Sequence, residues 1–182
     1  MTRAALWLLG GLLLGGVVHL MTILLLPGAA TQDAYARLSA VAPVNAVVAV
    51  PPPAPDRAIL PFMDPAFAWA VCRYDLSGGP LKLNTPISQG YTSVSFYARN
   101  GVAYYAINDR AAGRRAIELD LMTTQQHNDM PEEEDVTAAD RLIVESPSVT
   151  GLIILRALAP EPGLMSKARE ALAAAQCRVA PP

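Results

Sequence analysis

The pattern of apolar and polar positions divides this chain at residue 26. Residues 4–26, AALWLLGGLLLGGVVHLMTILLL, run without a single Asp, Glu, Lys or Arg. At a helical rise of ~1.5 Å per residue the run reaches roughly 34 Å, enough to cross a hydrocarbon core of ~30 Å with some tilt. It predicts a transmembrane helix over residues 1–26. The next stretch, 27–60, carries Pro43, Pro51-Pro52-Pro53 and Pro55. Proline fixes φ and removes amide donors, so this stretch reads as an extended, semi-rigid spacer. Inside it, Thr31 is placed to cap a short helix through Leu38, with Tyr35 and Leu38 on one side. Residues 45–50 fit either a short strand or a packed extended piece.

Residues 61–182 then show strand patterning. In 67–76, Phe67, Trp69 and Val71 alternate with Ala68, Ala70, Cys72, Tyr74 and Leu76, a strand apolar on both faces at its start. A turn at residues 77–80 leads to a short strand at 81–83. Asn100-Gly101 between two strand-like runs, 91–99 and 102–108, is a two-residue hairpin signature, because both central residues tolerate positive φ. Pairing Arg99 with Val102 sets Tyr97 opposite Tyr104 and Ser95 opposite Ala106. The other face then carries Phe96 opposite Tyr105 and Val94 opposite Ile107, and is the better core candidate. Further strands are expected at 113–122, 141–145 and 151–158. A helix follows over 162–176, opened by Pro162 and striped by Leu164, Ala168, Ala171, Leu172 and Ala175. The expected fold is α+β: one N-terminal transmembrane helix, then a mainly antiparallel sheet domain with a C-terminal helix packed on it.

Charge orients the helix. Arg3 and the amino terminus precede it, while Asp33 and Arg37 behind it balance, so the positive-inside tendency keeps the N-terminus cytoplasmic and sends the domain outward. The expected setting is the inner membrane, single-pass, with the domain in the periplasm. Gly28-Ala29-Ala30 supplies small residues for a signal peptidase, but secretory apolar cores span about 7–15 residues and this one is longer, which favours an uncleaved anchor. Either way the domain is exported. Within the helix, Gly11, Gly15, His19 and Thr22 share one side and are candidates for helix packing, since small residues admit a close neighbour and an imidazole prefers a protein partner to lipid.

A formal net charge of −2 over 182 residues provides no electrostatic footprint for nucleic acid and no polybasic segment for anionic lipid. The two cysteines, Cys72 on a predicted strand and Cys177 at the predicted helix end, are expected to pair in an oxidising compartment, with two separately buried thiols as the alternative. The acidic stretch 123–140, with Glu132-Glu133-Glu134-Asp135, reads as an exposed loop. His127 and Asp129 within it lack the convergent spacing of a metal site, so no metal or cofactor is expected. No GxSxG, HExxH, CxxC, phosphate-cradling loop or dinucleotide fingerprint occurs, and Asp75, Asp109 and Glu118 would do acid–base work only if the fold converged them.

The run Asp75-Leu76-Ser77-Gly78-Gly79-Pro80, the tyrosine-rich strand from Tyr91 and Leu152-Ile153-Ile154-Leu155-Arg156 before a terminal helix resemble the domain-of-unknown-function 1254 group of uncharacterised bacterial membrane-anchored proteins. The likeness spans residues 67–177. Full-length relatives carry a second domain that this chain is too short to contain, so the resemblance implies a small version of the family whose partner is an envelope protein, a larger relative among the candidates. It implies no catalytic residue. Two functions follow as expectations. The first is a non-enzymatic, membrane-anchored interaction module. The alternative is a small-molecule binding protein or hydrolase, with Ser95, Tyr97, Tyr104 and Asn108 as the candidate partner or ligand face. One solvated face of an antiparallel sheet gives the same pattern without any ligand.

Overall fold

The computed structural model describes residues 2–29, 33–54, 59–112, 115–130 and 142–180. The chain divides into two compact units, Met1–Gln32 and Asp33–Pro182. The first is helix α1 (Thr2–Ala29), whose apolar side chains through Leu26 are exposed all round. Among the described residues its Thr2–Leu26 portion is the one helix long and apolar enough to cross a membrane, which fits an anchor or a signal sequence. A helix apolar on every side has no soluble face to present.

The second unit begins at Asp33, well before the expected domain start at residue 61. The Asp33 carboxylate accepts a hydrogen bond from the Ala36 amide at 2.7 Å and caps α2 (Ala34–Ser39). Thr31, expected in that role, lies outside the described residues. Leu38 and Ala42 are buried and pack with Val71 and Leu152. Residues 47–50 form strand β1 (Val47–Val50), paired with β2 (Phe67–Asp75). Much of the proline-bearing stretch is therefore domain and not spacer, because Leu38, Ala42 and the valines of β1 bury apolar surface that the prolines nearby do not interrupt.

Among the described residues seven more strands follow: β3 (Leu81–Pro86), β4 (Thr92–Ala98), β5 (Ala103–Asn108), β6 (Ala116–Thr123), β7 (Leu142–Ser146), β8 (Thr150–Leu158) and β9 (Gln176–Val179). Short helices α3 (Asp109–Ala112) and α4 (Thr124–Asn128) lie between them, and a 3₁₀ turn at Pro162–Leu164 leads into α5 (Met165–Ala173). The strands form a five-stranded sheet, β1-β2-β8-β4-β5, and a four-stranded sheet, β7-β6-β3-β9. Every named pairing is antiparallel except β6 with β7. The α+β class with a C-terminal helix holds. The start of α4 is set by a capping box, Thr123 with Gln126, inside what the acidic composition marks as loop. Glu132-Glu133-Glu134-Asp135 lies outside the described residues.

The main core lies between the two sheets. Ala70, Cys72 and Tyr74 of β2, Val94 and Phe96 of β4, and Ile153 and Leu155 of β8 pack with Leu81, Leu83, Ile117, Leu119, Leu121 and Val144, and Ala168 and Leu172 of α5 close the cluster. A smaller cluster, on the far side of the five-stranded sheet, joins Val71, Leu152, Ile154 and Tyr97 to Leu38, Ala42, Ile59 and Leu60. Full burial of a valine or leucine such as Leu38, Val71 or Leu152 stabilises by about 1.5–3 kcal/mol.

Cys72 of β2 and Cys177 of β9 form a disulfide, 105 residues apart in sequence. It ties one sheet to the other. Cys177 sits on a strand and not at the end of the helix, since α5 ends at Ala173 and the chain turns at once into β9 alongside β3.

Candidate functional site

The hairpin that carries the expected tyrosine face folds differently at its tip. The Ala98 amide donates to the Val102 carbonyl at 2.9 Å and the Gly101 amide to the Ala98 carbonyl at 2.9 Å. Residues 99–101 thus make a three-residue loop with Gly101 at φ +81°, in place of the two-residue turn. That shift pairs Tyr97 with Ala103, and Tyr104 then bulges out of the ladder so that Phe96 meets Tyr105, Ser95 meets Ala106 and Val94 meets Ile107 as expected. One extra residue in the loop and one in the strand cancel everywhere except at the two tyrosines.

The consequence is a correction: Tyr97 and Tyr104 do not share a face. Tyr104 turns inward, its ring centroid 6.2 Å from that of Phe96, and its hydroxyl donates to the Tyr74 hydroxyl at 3.2 Å. Tyr74 in turn is 2.9 Å from Ser146 Oγ, and Ser146 donates to the Ser148 carbonyl at 2.7 Å. Burial, above all, raises the Tyr104 hydroxyl's pKa well above that of an ordinary tyrosine. This chain of hydroxyls joins the two sheets, with Tyr74 and Ser146 buried and Tyr104 half-buried. Tyr97 points to the outer face and packs with Leu38, Val71 and Leu152. Ser95 shares that outer face but is only 6 % exposed, and Asn108 spends its Oδ1 on the Ala111 amide at the start of α3. Ser95, Tyr97, Tyr104 and Asn108 therefore do not form one solvated face.

Other expected positions fall as follows. Gly11, Gly15, His19 and Thr22 lie exposed on α1, with the Thr22 hydroxyl donating to the Val18 carbonyl at 2.8 Å. A Cβ at Gly11 or Gly15 would meet nothing within 4 Å. His127 Nδ1 lies 2.8 Å from Glu145 Oε1, whose other oxygen accepts from the Thr124 hydroxyl at 2.8 Å. The His127 contact, first, and the Thr124 bond hold the Glu145 carboxyl below its usual range. Among the described residues no group of three or more His, Cys, Asp or Glu side chains could hold a metal ion. Asp75 is bound to the amide and hydroxyl of Ser77, and Glu118 accepts from Asn84, so these carboxylates do not converge on a common point.

The concave feature that does exist is a groove of about 620 Å³. It combines the polar outer side of the four-stranded sheet, with Lys82, Asn84, Glu118, Asp120, Gln176 and Arg178, and an apolar part made by Tyr105 and Ile107 of β5, Ala112 of α3 and Leu142 of β7. Period-2 alternation explains the polar part: Leu81, Leu83, Ile117 and Leu119 turn into the core, so the residues between them must turn out. β5 and β7 are the end strands of their sheets. Ala103 and Ala106 of β5 are exposed, and the strand carries no charge or proline to guard its edge. Tyr105 and Ile107, expected on the core-facing side, are half-buried against the core, and no sequence signal would bring β5 beside β6 and β7, since the pairing of distant strands is not written in local periodicity. A separate exposed feature is Phe62, fully solvent-facing at φ +59°.

Comparison with known proteins bears on family and fold. Residues 44–180 match the family described as "Protein of unknown function (DUF1254)". No curated protein matches the chain. Among solved structures, the VPA0106 protein of Vibrio parahaemolyticus aligns with a TM-score of 0.60 at 13 % identity, over 81 % of this chain and 34 % of that one. An uncharacterised protein of Burkholderia cenocepacia aligns at 0.46 and 15 % identity, over 64 % of this chain and 32 % of its own. This chain therefore spans about a third of the length of the solved structures it resembles. At these identities the Vibrio likeness speaks for the fold alone. With three quarters of its length inside the family match, the chain belongs to the DUF1254 family of proteins of unknown function.

Proposed function

We propose that this chain is a non-enzymatic interaction module of the cell envelope, held at the inner membrane by α1 with its sheet domain in the periplasm, and that the domain docks a segment of another envelope protein. The observation that carries the reading is the groove. Its apolar part, Tyr105, Ile107, Ala112 and Leu142, lies beside the uncharged edge strand β5, and its polar part mixes two cations, Lys82 and Arg178, with two carboxylates, Glu118 and Asp120. That is the lining an amphipathic polypeptide needs, with apolar anchors for burial, mixed charges for register and a strand edge for main-chain bonds. The Cys72–Cys177 disulfide supports an oxidising compartment. A longer relative of the same family is one partner of this class.

In-cell photo-crosslinking of the full-length chain tests the reading. A photoreactive residue at Ala106, exposed on β5 within the groove, is expected to capture one stoichiometric envelope protein, and the same probe at Glu170, on the exposed side of α5, is not. Leu142→Asp is expected to abolish the Ala106 product. No product from Ala106, or equal yields from both positions, overturns the proposal.

A further inference from the structure

The outer face of the five-stranded sheet carries a second polar feature, remote in kind from the groove. The register sets Trp69 of β2, Arg156 of β8 and Ser93 of β4 in one row across three adjacent strands, with Ser95 two residues along β4 on the same face. The Arg156 guanidinium carbon lies 5.7 Å from the Trp69 ring centroid. Its hydrogen bond to a side chain is a long one, Nη2 donating to Ser95 Oγ at 3.4 Å. Arg156 Nε is buried with no acceptor, and so is the hydroxyl of Ser93, a residue only 3 % exposed. Among the described residues no carboxylate lies within ion-pair distance of Arg156, whose half-buried charge is left to the Trp69 ring and one long hydrogen bond to a neutral hydroxyl. Buried polar groups of this kind normally find partners, and two orphaned donors side by side mark a place where an acceptor belongs.

The same domain shows what completes such an arrangement. Arg99 stacks on Tyr35 with its guanidinium carbon 4.0 Å from the ring centroid, and its Nη1 holds the Asp33 carboxylate at 2.9 Å. Arg156 repeats the aromatic half of that pattern on Trp69 and lacks the carboxylate half. We propose that Arg156, Trp69, Ser93 and Ser95 form a binding site for an external monocarboxylate, which takes at Arg156 the place that Asp33 takes at Arg99. A guanidinium fork matches a planar carboxylate, and the hydroxyls add neutral donors. One cation and two hydroxyls balance a single negative charge, which favours a carboxylate over a phosphate dianion. The carboxylate can come from a free small organic acid or from a polypeptide.

The test uses the two tryptophans of the full chain in detergent micelles, Trp7 on α1 and Trp69 at the site, as separate indole N–H signals in a ¹⁵N correlation spectrum. Titration with acetate and with N-acetyl-alanyl-alanine is expected to move the Trp69 signal saturably and leave Trp7 in place, while acetamide moves neither. Tighter binding of the peptide assigns the polypeptide source, and equal or tighter binding of acetate assigns the free acid. Arg156→Gln is expected to abolish the shift and Arg156→Lys to weaken it by roughly tenfold, because an ammonium cannot fork. Ser93→Ala, a smaller change, is expected to keep the native spectrum and weaken binding a few-fold, which keeps the test decisive if an Arg156 variant fails to fold. The site is overturned if no carboxylate saturates the shift, the result expected if the orphaned donors hold only water. It is likewise overturned if acetamide or inorganic phosphate does as well as acetate, or if Arg156→Gln and Ser93→Ala bind as the parent does.

Discussion

The two faces of the five-stranded sheet handle hydroxyl groups in opposite ways. On the inner face, Tyr74, Tyr104 and Ser146 bond to one another and to the Ser148 carbonyl, so each polar atom taken from water is repaid by a neighbour. On the outer face, Ser93 and the Nε of Arg156 are just as dry and have no partner. The sheet backbone is shared, and so is the depth of burial. What differs is the cover. The inner face meets a second sheet whose Ser146 was placed to answer Tyr74, whereas the outer face meets α2 and residues 59–60, which supply Leu38, Ala42, Ile59 and Leu60 and no acceptor for Arg156. A closed network stabilises and specifies a fold, and an open one is a cost that a ligand can remove.

The largest expected effect tests how tightly the inner network is held. A Cβ at Gly151 would collide with the Tyr74 hydroxyl and the Tyr97 carbonyl oxygen, backbone on one side and a bonded ring on the other. Gly151→Val is expected to cost several kcal/mol, enough to leave most of the domain unfolded, measured by urea denaturation of the 33–182 unit followed by circular dichroism. Replacing both Cys72 and Cys177 by Ala removes the link between the sheets and is expected to lower stability by about 2–5 kcal/mol in the same assay. Tyr74→Phe leaves Ser146 and Tyr104 short of a partner and is expected to cost about 1–3 kcal/mol, while Ser93→Ala on the outer face is expected to be neutral or slightly stabilising. Equal costs for these two would erase the contrast between the faces. Phe62→Gly, which relieves a left-handed backbone at an exposed aromatic, is expected to gain about 1 kcal/mol.

The smallest effect is a pH dependence at the cover of the outer face. The Ala36 amide first, and then Arg99, hold the Asp33 carboxyl below the usual carboxylate range. A depressed folded pKa adds stability that is complete above the unfolded value of about 4 and is lost as pH falls through the folded one. Acidification below about pH 4 is therefore expected to loosen α2 before the inner core, seen as a rise in amide exchange at residues 36–42, and Asp33→Asn is expected to remove that dependence.

Much of this was legible in the sequence. The apolar run over 4–26, the strands at 67–75, 92–98, 103–108 and 150–158 and the α5 stripe follow from periodicity, and with two cysteines in the sequence one pairing was available. What was not legible has definite causes. Asn-Gly admits a two-residue turn, but the chain closes a three-residue one and absorbs the difference in a bulge at Tyr104, and nothing local distinguishes two errors that cancel. Proline density at 43–55 hid a domain that starts at Asp33, because the prolines fall between α2, β1 and β2 and not within them. β9 was hidden because Ala173, Ala174 and Ala175 are good helix formers and no glycine or proline stops the helical pattern before Gln176. The groove and the Arg156 site both depend on which strands become neighbours, and neither β2 with β8 nor β3 with β9 is signalled by residues near either strand.

The position of β8 has a bearing on how this domain comes into being. It is the middle strand of the five, flanked by β2 and β4, yet it is made of residues 150–158, more than fifty positions after either neighbour has ended. A chain emerging from its N-terminal end presents β1–β2 and β4–β5 as two separate hairpins, each with one bare apolar flank, and nothing available yet can join them. The sheet closes in a single late event, as a keystone closes an arch. Until then, the half-delivered polypeptide is at its most vulnerable to pairing with the wrong strand.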